Sequence, residues 1–191
     1  MAMQRVSPLL SADLQDVQSL QPEGWSDIVP HIKFYVHAPF CYPIKVVVDN
    51  KLIAIGTTII HSDTAWLAHI IVQKEYRNQG IGRLITKSLL HASLQQGCRT
   101  VYLLATALGA PVYLKSGFQP EGEYIFLKEV ALPPDTEKAT LPYMPSYENE
   151  ILEFDRRVSG ENRKKILQNH LKNAHIILNN NYVEGYFTEP G

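Results

Sequence analysis

The sequence predicts an α/β fold, in which a mixed central sheet is flanked by helices, and two observations support this class. β-prone runs, such as residues 44–60, alternate along the chain with segments of helical period, such as residues 80–97. A glycine turn, "EYRNQGIGRL" (75–84), also lies between an apolar run and one of these helical segments. The predicted order over roughly residues 3–131 is strand, two helices, three strands, helix, strand, helix, strand, which describes an α/β sandwich on a mixed sheet.

The elements before the turn follow from caps and β-branched runs. A short strand precedes a helix with Ser11 as its expected N-cap, and a second helix is expected to be capped by Ser26 with Pro30 in its first turn. Two β-branched runs flank Asp49-Asn50, a pair suited to the positive φ angles of a tight hairpin. "TAWLAHIIVQ" (64–73) is apolar almost throughout, which is typical of a central strand covered on both faces.

The elements after the turn begin with a helix that Gly97 is expected to end. Its predicted buried stripe has five members: Ile81, Leu84, Ile85, Leu89 and Leu94. A strand over 99–106, a short helix ended by Gly117 and a last strand over 124–132 complete the predicted sheet. We therefore assign residues 1–131 to one domain.

The remainder of the chain reads as a linker and an extension. Residues 132–145 contain four prolines and little apolar content, so they are expected to be a linker. Residues 146–191 predict two helices and a hairpin, and "IILNNNYVEGY" resembles the earlier "VVVDNKLIAIG" in pattern, which suggests a partial internal repeat. Two helices and a hairpin are also a common arrangement that can simply pack against a main domain. The open hairpin edge offers a route to a homodimer.

Composition narrows the function classes. The net charge is −1, which argues against a partner held by bulk positive charge, such as a nucleic acid. Cys41 and Cys98 lack metal-ligand spacing and read as reduced thiols, and none of the seven histidines forms an HxxxH pair. The N-terminus becomes polar too early for a signal peptide, and no apolar run approaches membrane-spanning length. We expect a cytoplasmic protein without a metal, nucleic-acid or membrane partner.

The glycine turn has the pattern R-x-x-G-x-G, which is compatible with phosphate binding. A Walker loop would need a lysine and Ser/Thr after the last glycine, and a dinucleotide fingerprint would need a third glycine where Ile85 stands. An ATPase or nucleotide kinase is therefore disfavoured. The acyl-CoA turn, R/Q-x-x-G-x-G/A, matches fully. A glycine-containing helix start without a ligand is the remaining interpretation of the hexapeptide alone.

A pyrophosphate at this turn would be bound mainly by backbone N–H groups at a helix N-terminus. Arg77 flanks the turn, and Arg83 and Lys87 lie one helical turn apart, where they could meet further phosphate charge. The six amides expected to wrap the pyrophosphate belong to Gln79, Gly80, Ile81, Gly82, Arg83 and Leu84.

Two separated motifs carry a family resemblance. "HIIVQKEYRNQGIGRLI" (69–85) and "YLLATALGAPVYLKSGFQPEGEY" (102–124) closely resemble the GNAT superfamily of acyl-CoA-dependent N-acetyltransferases, over roughly residues 40–130. The second motif also resembles a bacterial subgroup whose members often carry a C-terminal extension. The resemblance implies acetyl-CoA as cosubstrate and transfer of its acetyl group to a primary amine of a small molecule or peptide, by direct attack in a ternary complex. A non-catalytic acyl-CoA-binding or regulatory module of the same fold is the alternative.

The resemblance also implies roles for individual residues. Ile70 and Val72 occupy positions whose backbone N–H groups are freed where the strand splays from its neighbour. Tyr113 matches the usual general acid, and Thr106 stands where the family often has an asparagine that contacts the cofactor arm. The acceptor pocket is expected near the first two helices, where four aromatic residues either line it or fill the core: Phe34, Tyr35, Phe40 and Tyr42.

The general base stays open. The family often places a carboxylate or histidine on the fourth strand, where this chain has Trp66 and Ala68. His69 could titrate near neutrality, but strand alternation points it away from the face of residues 66, 68, 70 and 72, so we expect it to be a hydrogen-bonded structural residue. The other candidates are a water chain, His61, Asp63 and Glu121.

Overall fold

The computed structural model describes residues 5–124 and 140–188, and the chain divides into two compact units, Met1–Gln119 and Pro120–Gly191. The first unit contains a five-stranded mixed sheet and the second a three-stranded antiparallel sheet. The predicted class, a mixed sheet flanked by helices with a helix-helix-hairpin extension, is confirmed. The strand predicted over residues 124–132 lies outside the described residues apart from Tyr124.

The sheet of the first unit follows chain order, with each strand antiparallel to the one before it until the last, which is parallel to its neighbour. Its strands are β1 (Val6–Pro8), β2 (Cys41–Val48), β3 (Lys51–His61), β4 (Thr64–Val72) and β5 (Thr100–Leu103). The α-helices of this unit are α1 (Leu14–Val17), α2 (Val29–His37), α3 (Ile81–Gln95) and α4 (Ala110–Leu114). The parallel pair β4–β5 is bridged by α3, as a parallel crossover requires.

The β2–β3 hairpin confirms the predicted tight turn. Asp49 and Asn50 have φ angles of 48° and 61°, the left-handed values that these side chains tolerate better than most. Because this turn fixes the register, Val48 pairs with Lys51 and the apolar face of β2 meets the core.

The buried face of α3 packs on the sheet through Ile81, Ile85 and Leu89. Leu94 was predicted to share this stripe, and that prediction was wrong, because 64% of its surface is exposed. Ser93 occupies the buried position four residues after Leu89 instead, and its hydroxyl lies 2.8 Å from that of Thr58 on β3. The helix ends as expected, with Gly97 at a φ of 81°.

Both expected serine caps were wrong. Residues 11–13 form a 3₁₀ turn that contains Ser11, and the Asp13 carboxylate accepts the Leu10 N–H at 2.7 Å. Helix α2 begins three residues after Ser26, and the Asp27 carboxylate accepts the Val29 N–H at 2.9 Å. A carboxylate therefore satisfies a free donor at each start, which is the role that the sequence pattern assigned to serine.

The second unit comprises β6 (Thr140–Pro142), α5 (Glu148–Ser159), α6 (Lys164–His170), β7 (Ala174–Asn179) and β8 (Tyr182–Thr188), with β7 between the other two strands. Strand β6 lies within the stretch expected to be a linker. A small apolar core holds this unit together: Ile151, Leu171, Ala174, Ile176 and Val183. The hairpin turns at Asn180 and Asn181, whose φ angles are 49° and 67°.

The strand pairing within the first unit resembles the strand pairing within the second. Val6 of β1 lies opposite Val46 of β2, and Thr140 of β6 lies opposite Ile177 of β7. In the first hairpin the register shifts immediately after Val46, and in the second it shifts immediately after Ile177. This coincidence of pairing and bulge is the geometry that a partial internal repeat predicts.

Candidate active site

The glycine turn presents a set of free backbone donors at the start of α3. Gly80 is the N-cap with a φ of 82°, a conformation that glycine adopts without strain. The Leu84 N–H already donates to the Gly80 carbonyl at 2.9 Å, so the free donors end one residue before it. No described residue accepts the five remaining N–H groups, which belong to Gln79, Gly80, Ile81, Gly82 and Arg83. Such a cluster suits an anion.

The Arg77 side chain contacts the end of β4 and so fixes the segment that joins β4 to the glycine turn. Its Nε–H donates to the Val72 carbonyl oxygen at 3.0 Å, which leaves the rest of the guanidinium fork available. Gln79 makes a comparable local bond, from its side-chain amide to the Glu75 carbonyl at 3.2 Å. Both side chains thus fix the loop, so a direct ligand contact by either would be additional to this role.

Strand β4 separates from β5 halfway along its length. The parallel pairing ends at Leu67 opposite Leu103, and no described residue pairs with β4 on that side beyond this point. The Gln73 N–H donates to the Ile53 carbonyl at 2.8 Å, on the β3 side. Because N–H directions alternate along a strand, those of Val72 and Ile70 point to the open side. The structure therefore has the opening that the family resemblance implies.

The end of β4, the start of α3 and helix α4 meet at Gly82. A Cβ atom built on Gly82 would lie 3.8 Å from Val72 Cγ2 and 3.9 Å from Val112 Cγ1, which are ordinary contacts. The free amides of the turn and the open edge of β4 consequently border one region.

Tyr113 lies on α4 beside Gly109, and its ring meets that of Phe118 edge-on at 6.1 Å. Burial raises the pKa of its phenol, so the hydroxyl is protonated at neutral pH. No described residue forms a hydrogen bond with this hydroxyl. The hydroxyl of Thr106 accepts the Gly109 N–H at 3.2 Å and thus helps start α4, although a hydroxyl that accepts one bond can still donate another.

His69 lies on the face of the sheet that α2 covers, opposite to Ile70 and Val72, which pack against the α3 core. The alternation prediction is therefore right relative to these two residues. It is wrong relative to Trp66 and Ala68, which by alternation from Leu67 lie on the same face as His69. The φ of His69 is 48°, and the register shift in β3–β4 sets His69 and Ile70 together opposite Gly56. This bulge reverses the facing of the residues beyond it. The His69 Nδ1 lies 3.2 Å from the Tyr35 hydroxyl on α2.

The hydrogen bond to Tyr35 agrees with the interpretation of His69 as a structural residue, and His69 does not titrate near neutrality. Burial, followed by the nearby His31, lowers its pKa to about 4. Its imidazole ring stacks on that of His31 at 5.3 Å and meets the Trp25 ring edge-on at 6.1 Å. The sequence reasoning missed Trp25 and His31. The spacing of His31 and Tyr35, one turn apart on α2, indicates only that these two residues share a face of the helix.

The remaining candidates for the general base are His61, Asp63 and Glu121. His61 and Asp63 lie at the β3–β4 turn, at the opposite end of β4 from Val72, and Asp63 pairs with the exposed Arg99 at 2.9 Å. Glu121 is exposed and belongs to the second unit.

Of the four aromatic residues expected either to line the acceptor pocket or to fill the core, Tyr35 and Phe40 are buried, and Phe34 and Tyr42 are half-buried.

The sequence model of the Acetyltransferase (GNAT) family matches residues 10–118, which is more than half of the chain. The chain belongs to the GNAT acetyltransferase family. The match covers the glycine turn, the open edge of β4 and α4, which are the elements that meet around Gly82. No curated protein matches the sequence at a significant level.

Solved structures show the same fold. A predicted acetyltransferase from Clostridium acetobutylicum, solved with acetyl-CoA, is 18% identical, with 66% of this chain and 96% of that chain covered and a TM-score of 0.55. Glucosamine-6-phosphate N-acetyltransferase from Arabidopsis thaliana is 12% identical, with 66% and 98% covered and a TM-score of 0.53.

A third structure extends the likeness through most of the chain. An acetyltransferase described as putative, from Pyrococcus horikoshii, is 18% identical, with 95% of this chain and 66% of that chain covered and a TM-score of 0.69. The matched part therefore includes residues of the C-terminal extension as well as the acetyltransferase domain.

The described residues lack two further features. None of their helices is long and apolar enough to cross a membrane. Nor do they contain a group of three or more His, Cys, Asp or Glu side chains that could hold a metal ion.

Proposed function

We propose that this protein transfers an acetyl group from acetyl-CoA to a primary amine of a small molecule or peptide, by direct attack in a ternary complex. The observation that carries the proposal is the open edge of β4 beyond Leu67, beside the free amides at the start of α3. An edge that offers N–H groups next to an anion-binding turn suits a ligand that has both a pyrophosphate and an amide-rich arm.

The glycine turn is the proposed seat of the CoA pyrophosphate. Its five free N–H groups, from Gln79 to Arg83, converge where the dipole of α3 adds partial positive charge. A side chain is missing at Gly82, where a Cβ would have only ordinary contacts, so the backbone is open to close approach. Arg83 and Lys87 extend the positive charge along the helix.

Acetyl-CoA supplies an activated thioester when it is bound. We propose that the N–H groups of Ile70 and Val72 face the arm and the carbonyl of this thioester, so that they stabilise negative charge as it develops on oxygen. Thr106 would donate its hydroxyl hydrogen to the arm while it continues to cap α4.

Tyr113 is the proposed proton donor to the departing thiolate. Its phenol is protonated at neutral pH and has no described partner, so the proton is available. For the proton that leaves the amine we propose a water chain, because the low pKa of His69 makes it a weak base. His61 and Asp63 lie at the far end of β4, which disfavours them.

Thiol release tests the function directly. The protein would be incubated with acetyl-CoA and a panel of amines, namely tyramine, spermidine, glucosamine and a lysine-containing peptide, and free CoA thiol would be followed with time. Tyr113→Phe is expected to lower turnover by about 10²-fold with little change in CoA affinity. Tyr182→Phe, at an exposed tyrosine of the second unit, is the matched control and should not change turnover.

The alternative is a non-catalytic acyl-CoA-binding or regulatory module. The weak basicity of His69 and the engagement of Thr106 in the α4 cap favour it. Tight CoA binding with no thiol release above the no-amine background, for every amine in the panel, would support the module and refute the enzyme.

We further infer a cytoplasmic location and a role of residues 146–191 as an extension of the acetyltransferase domain. Cys41 and Cys98 are both buried and free, which supports a reducing compartment. We also infer a homodimer formed through the outer edge of β8, since no described strand pairs with that edge. Analytical ultracentrifugation tests this: a dimer is expected, and a wild-type monomer at high concentration would refute it.

A further inference from the structure

Three aromatic rings surround the imidazole of His69. Trp25 meets it edge-on at 6.1 Å, His31 stacks on it at 5.3 Å, and Tyr35 meets it edge-on at 5.4 Å. Two of these neighbours face solvent, since Trp25 is 42% exposed and His31 is also exposed. The cluster of Trp25, His31, Tyr35 and His69, which we call the aromatic cluster, therefore combines a half-buried imidazole with exposed aromatic rings.

The backbone places this cluster beside the open edge of β4. The bulge turns His69 toward α2, while the next residue, Ile70, directs its N–H into the opening. Tyr35, buried on α2, fixes the imidazole through its hydroxyl at 3.2 Å. His69 of the aromatic cluster and Ile70 of the proposed thioester site are thus consecutive residues of β4.

The charge around the cluster is low. No carboxylate among the described residues forms a hydrogen bond or ion pair with His31 or His69. Asp27, the acidic residue closest to α2 in sequence, accepts the Val29 N–H at 2.9 Å. The imidazole of His69 is uncharged at neutral pH. No described carboxylate holds a cation against the His31 and His69 rings, whereas a flat, weakly charged ring would find stacking partners there.

We propose that the aromatic cluster is the acceptor subsite and that it binds amines carrying an aromatic ring. The ring of the acceptor stacks against Trp25 and His31, and its short alkyl chain carries the amine toward Ile70 and the open edge of β4. This inference rests on the proposed function, and it assigns the substrate class: arylalkylamines in preference to polyamines or saturated amines of the same size.

Calorimetry with three probes tests the subsite. Tyramine, 2-cyclohexylethylamine and spermidine would be titrated into the full chain, both free and saturated with CoA. We expect tyramine to bind at least fivefold more tightly than either other amine. The variants Trp25→Ala and His31→Ala, both at exposed positions, should each weaken tyramine about 2- to 10-fold and leave CoA affinity unchanged.

Tyr182→Ala is the matched control, because it removes an exposed aromatic side chain from the second unit. Its tyramine affinity should equal that of the wild type. A second readout is the transfer of magnetisation from the tyramine ring to the imidazole C–H protons of His31, which should disappear in His31→Ala. Equal affinities for tyramine and 2-cyclohexylethylamine, or unchanged tyramine binding in both variants, would overturn the inference.

The outcomes also separate this inference from the function on which it rests. CoA binding without tyramine binding overturns the aromatic subsite alone. Absence of CoA binding overturns the acetyltransferase proposal, and with it the assignment of the cluster as an acceptor subsite.

Discussion

The Nε–H of Arg77 donates to the carbonyl oxygen of Val72 at 3.0 Å, and this bond ties the glycine turn to the end of β4. Arg77→Ala removes both the anchor and a charge near the proposed pyrophosphate. We expect CoA affinity to fall about 5- to 10-fold, since one such bond contributes about 1 kcal/mol. Arg77→Lys keeps the charge but not the planar fork, so it should recover only part of the loss. Isothermal titration measures this, with Arg99→Ala, at an exposed surface ion pair, as the control. Equal CoA affinity in Arg77→Ala and wild type would contradict the role.

Substitutions of Gly82 test the position of the cofactor with little effect on packing. Its Cβ would meet only Val72 and Val112 at ordinary contact distances, so Gly82→Ala should fold with a stability close to that of the wild type. Gly82→Glu places a carboxylate among the free amides, where it repels the pyrophosphate. We expect a modest loss of affinity for alanine and loss of measurable CoA binding for glutamate, by calorimetry on proteins with matched circular dichroism. Unchanged CoA affinity in Gly82→Glu would show that the cofactor lies elsewhere.

Gly56 permits the close approach of α3 to β3. A Cβ at this position would lie 2.6 Å from Ile85 Cγ2 and 3.0 Å from Leu89 Cδ1, so one of the packed elements must shift. Gly56→Ala is therefore expected to destabilise the protein by about 1–3 kcal/mol. Urea unfolding measures this. Gly122→Ala is the control, because its Cβ would meet nothing within 4 Å. Equal midpoints for both variants would contradict the packing argument.

The sequence predicted those parts of the fold that depend on local pattern. The Asp49-Asn50 turn, the end of α3 at Gly97 and the apolar strand before the glycine turn were all predictable, because their cause lies within a few residues. The face of His69 was not. A bulge is set by the neighbouring strand, and Gly56 on that strand lies 13 residues away in the chain. Period-2 alternation therefore places His69 correctly relative to Ile70 and Val72, but wrongly relative to Trp66 and Ala68 on the other side of the bulge.

Two further features depend on contacts between residues that are distant in sequence, and the sequence did not predict them. The assembly of Trp25 and His31 around His69 requires the packing of α2 on the sheet, which no spacing in the sequence specifies. Ser93 likewise replaced Leu94 in the core because Thr58 on β3 offers a hydroxyl partner. Burial of a paired polar group costs little, so a hydrophobic stripe alone could not decide between them.

The half-buried His69 predicts a pH dependence of stability. Its pKa is lowered from 6.5 to about 4, so between these values the unfolded chain binds a proton that the folded chain does not. Stability is full above pH 6.5 and falls as the pH decreases toward 4. The shift corresponds to at most about 3 kcal/mol, and about half of that is expected because the imidazole is partly exposed.

Urea unfolding at pH 7.5, 6, 5 and 4.2 measures this dependence. His69→Gln should flatten the part of the curve below pH 6.5, while His91→Gln, at an exposed position of α3, should leave it as in the wild type. A wild-type stability that does not change between pH 7.5 and 4.2, or one that rises as the pH falls, would contradict the burial of a neutral imidazole.

The second unit depends on a buried carboxylate. Asp155 on α5 is only 3% exposed, accepts the Tyr186 hydroxyl at 2.6 Å and forms an ion pair with Arg163. This pairing raises the pKa of Arg163, and it leaves the arginine charge compensated. Removing one partner of a fully buried pair typically costs about 3–5 kcal/mol, and here we expect about 2–3 kcal/mol, because the side chain of Arg163 is 35% exposed and water screens the charge that remains. Asp155→Ala is therefore expected to destabilise the second unit by an amount in this range.

Proteolysis and CoA binding together test whether Asp155→Ala destabilises only the second unit. Under native conditions, Asp155→Ala should be cleaved faster within residues 140–188, and CoA affinity, which depends on residues of the first unit, should not change. Asp63→Ala removes a carboxylate from an exposed pair and serves as the control, with an expected cost below about 1 kcal/mol. Wild-type resistance to the protease would show that the cluster does not stabilise the unit. A parallel loss of CoA affinity would show that the glycine turn in the first unit depends on the same carboxylate.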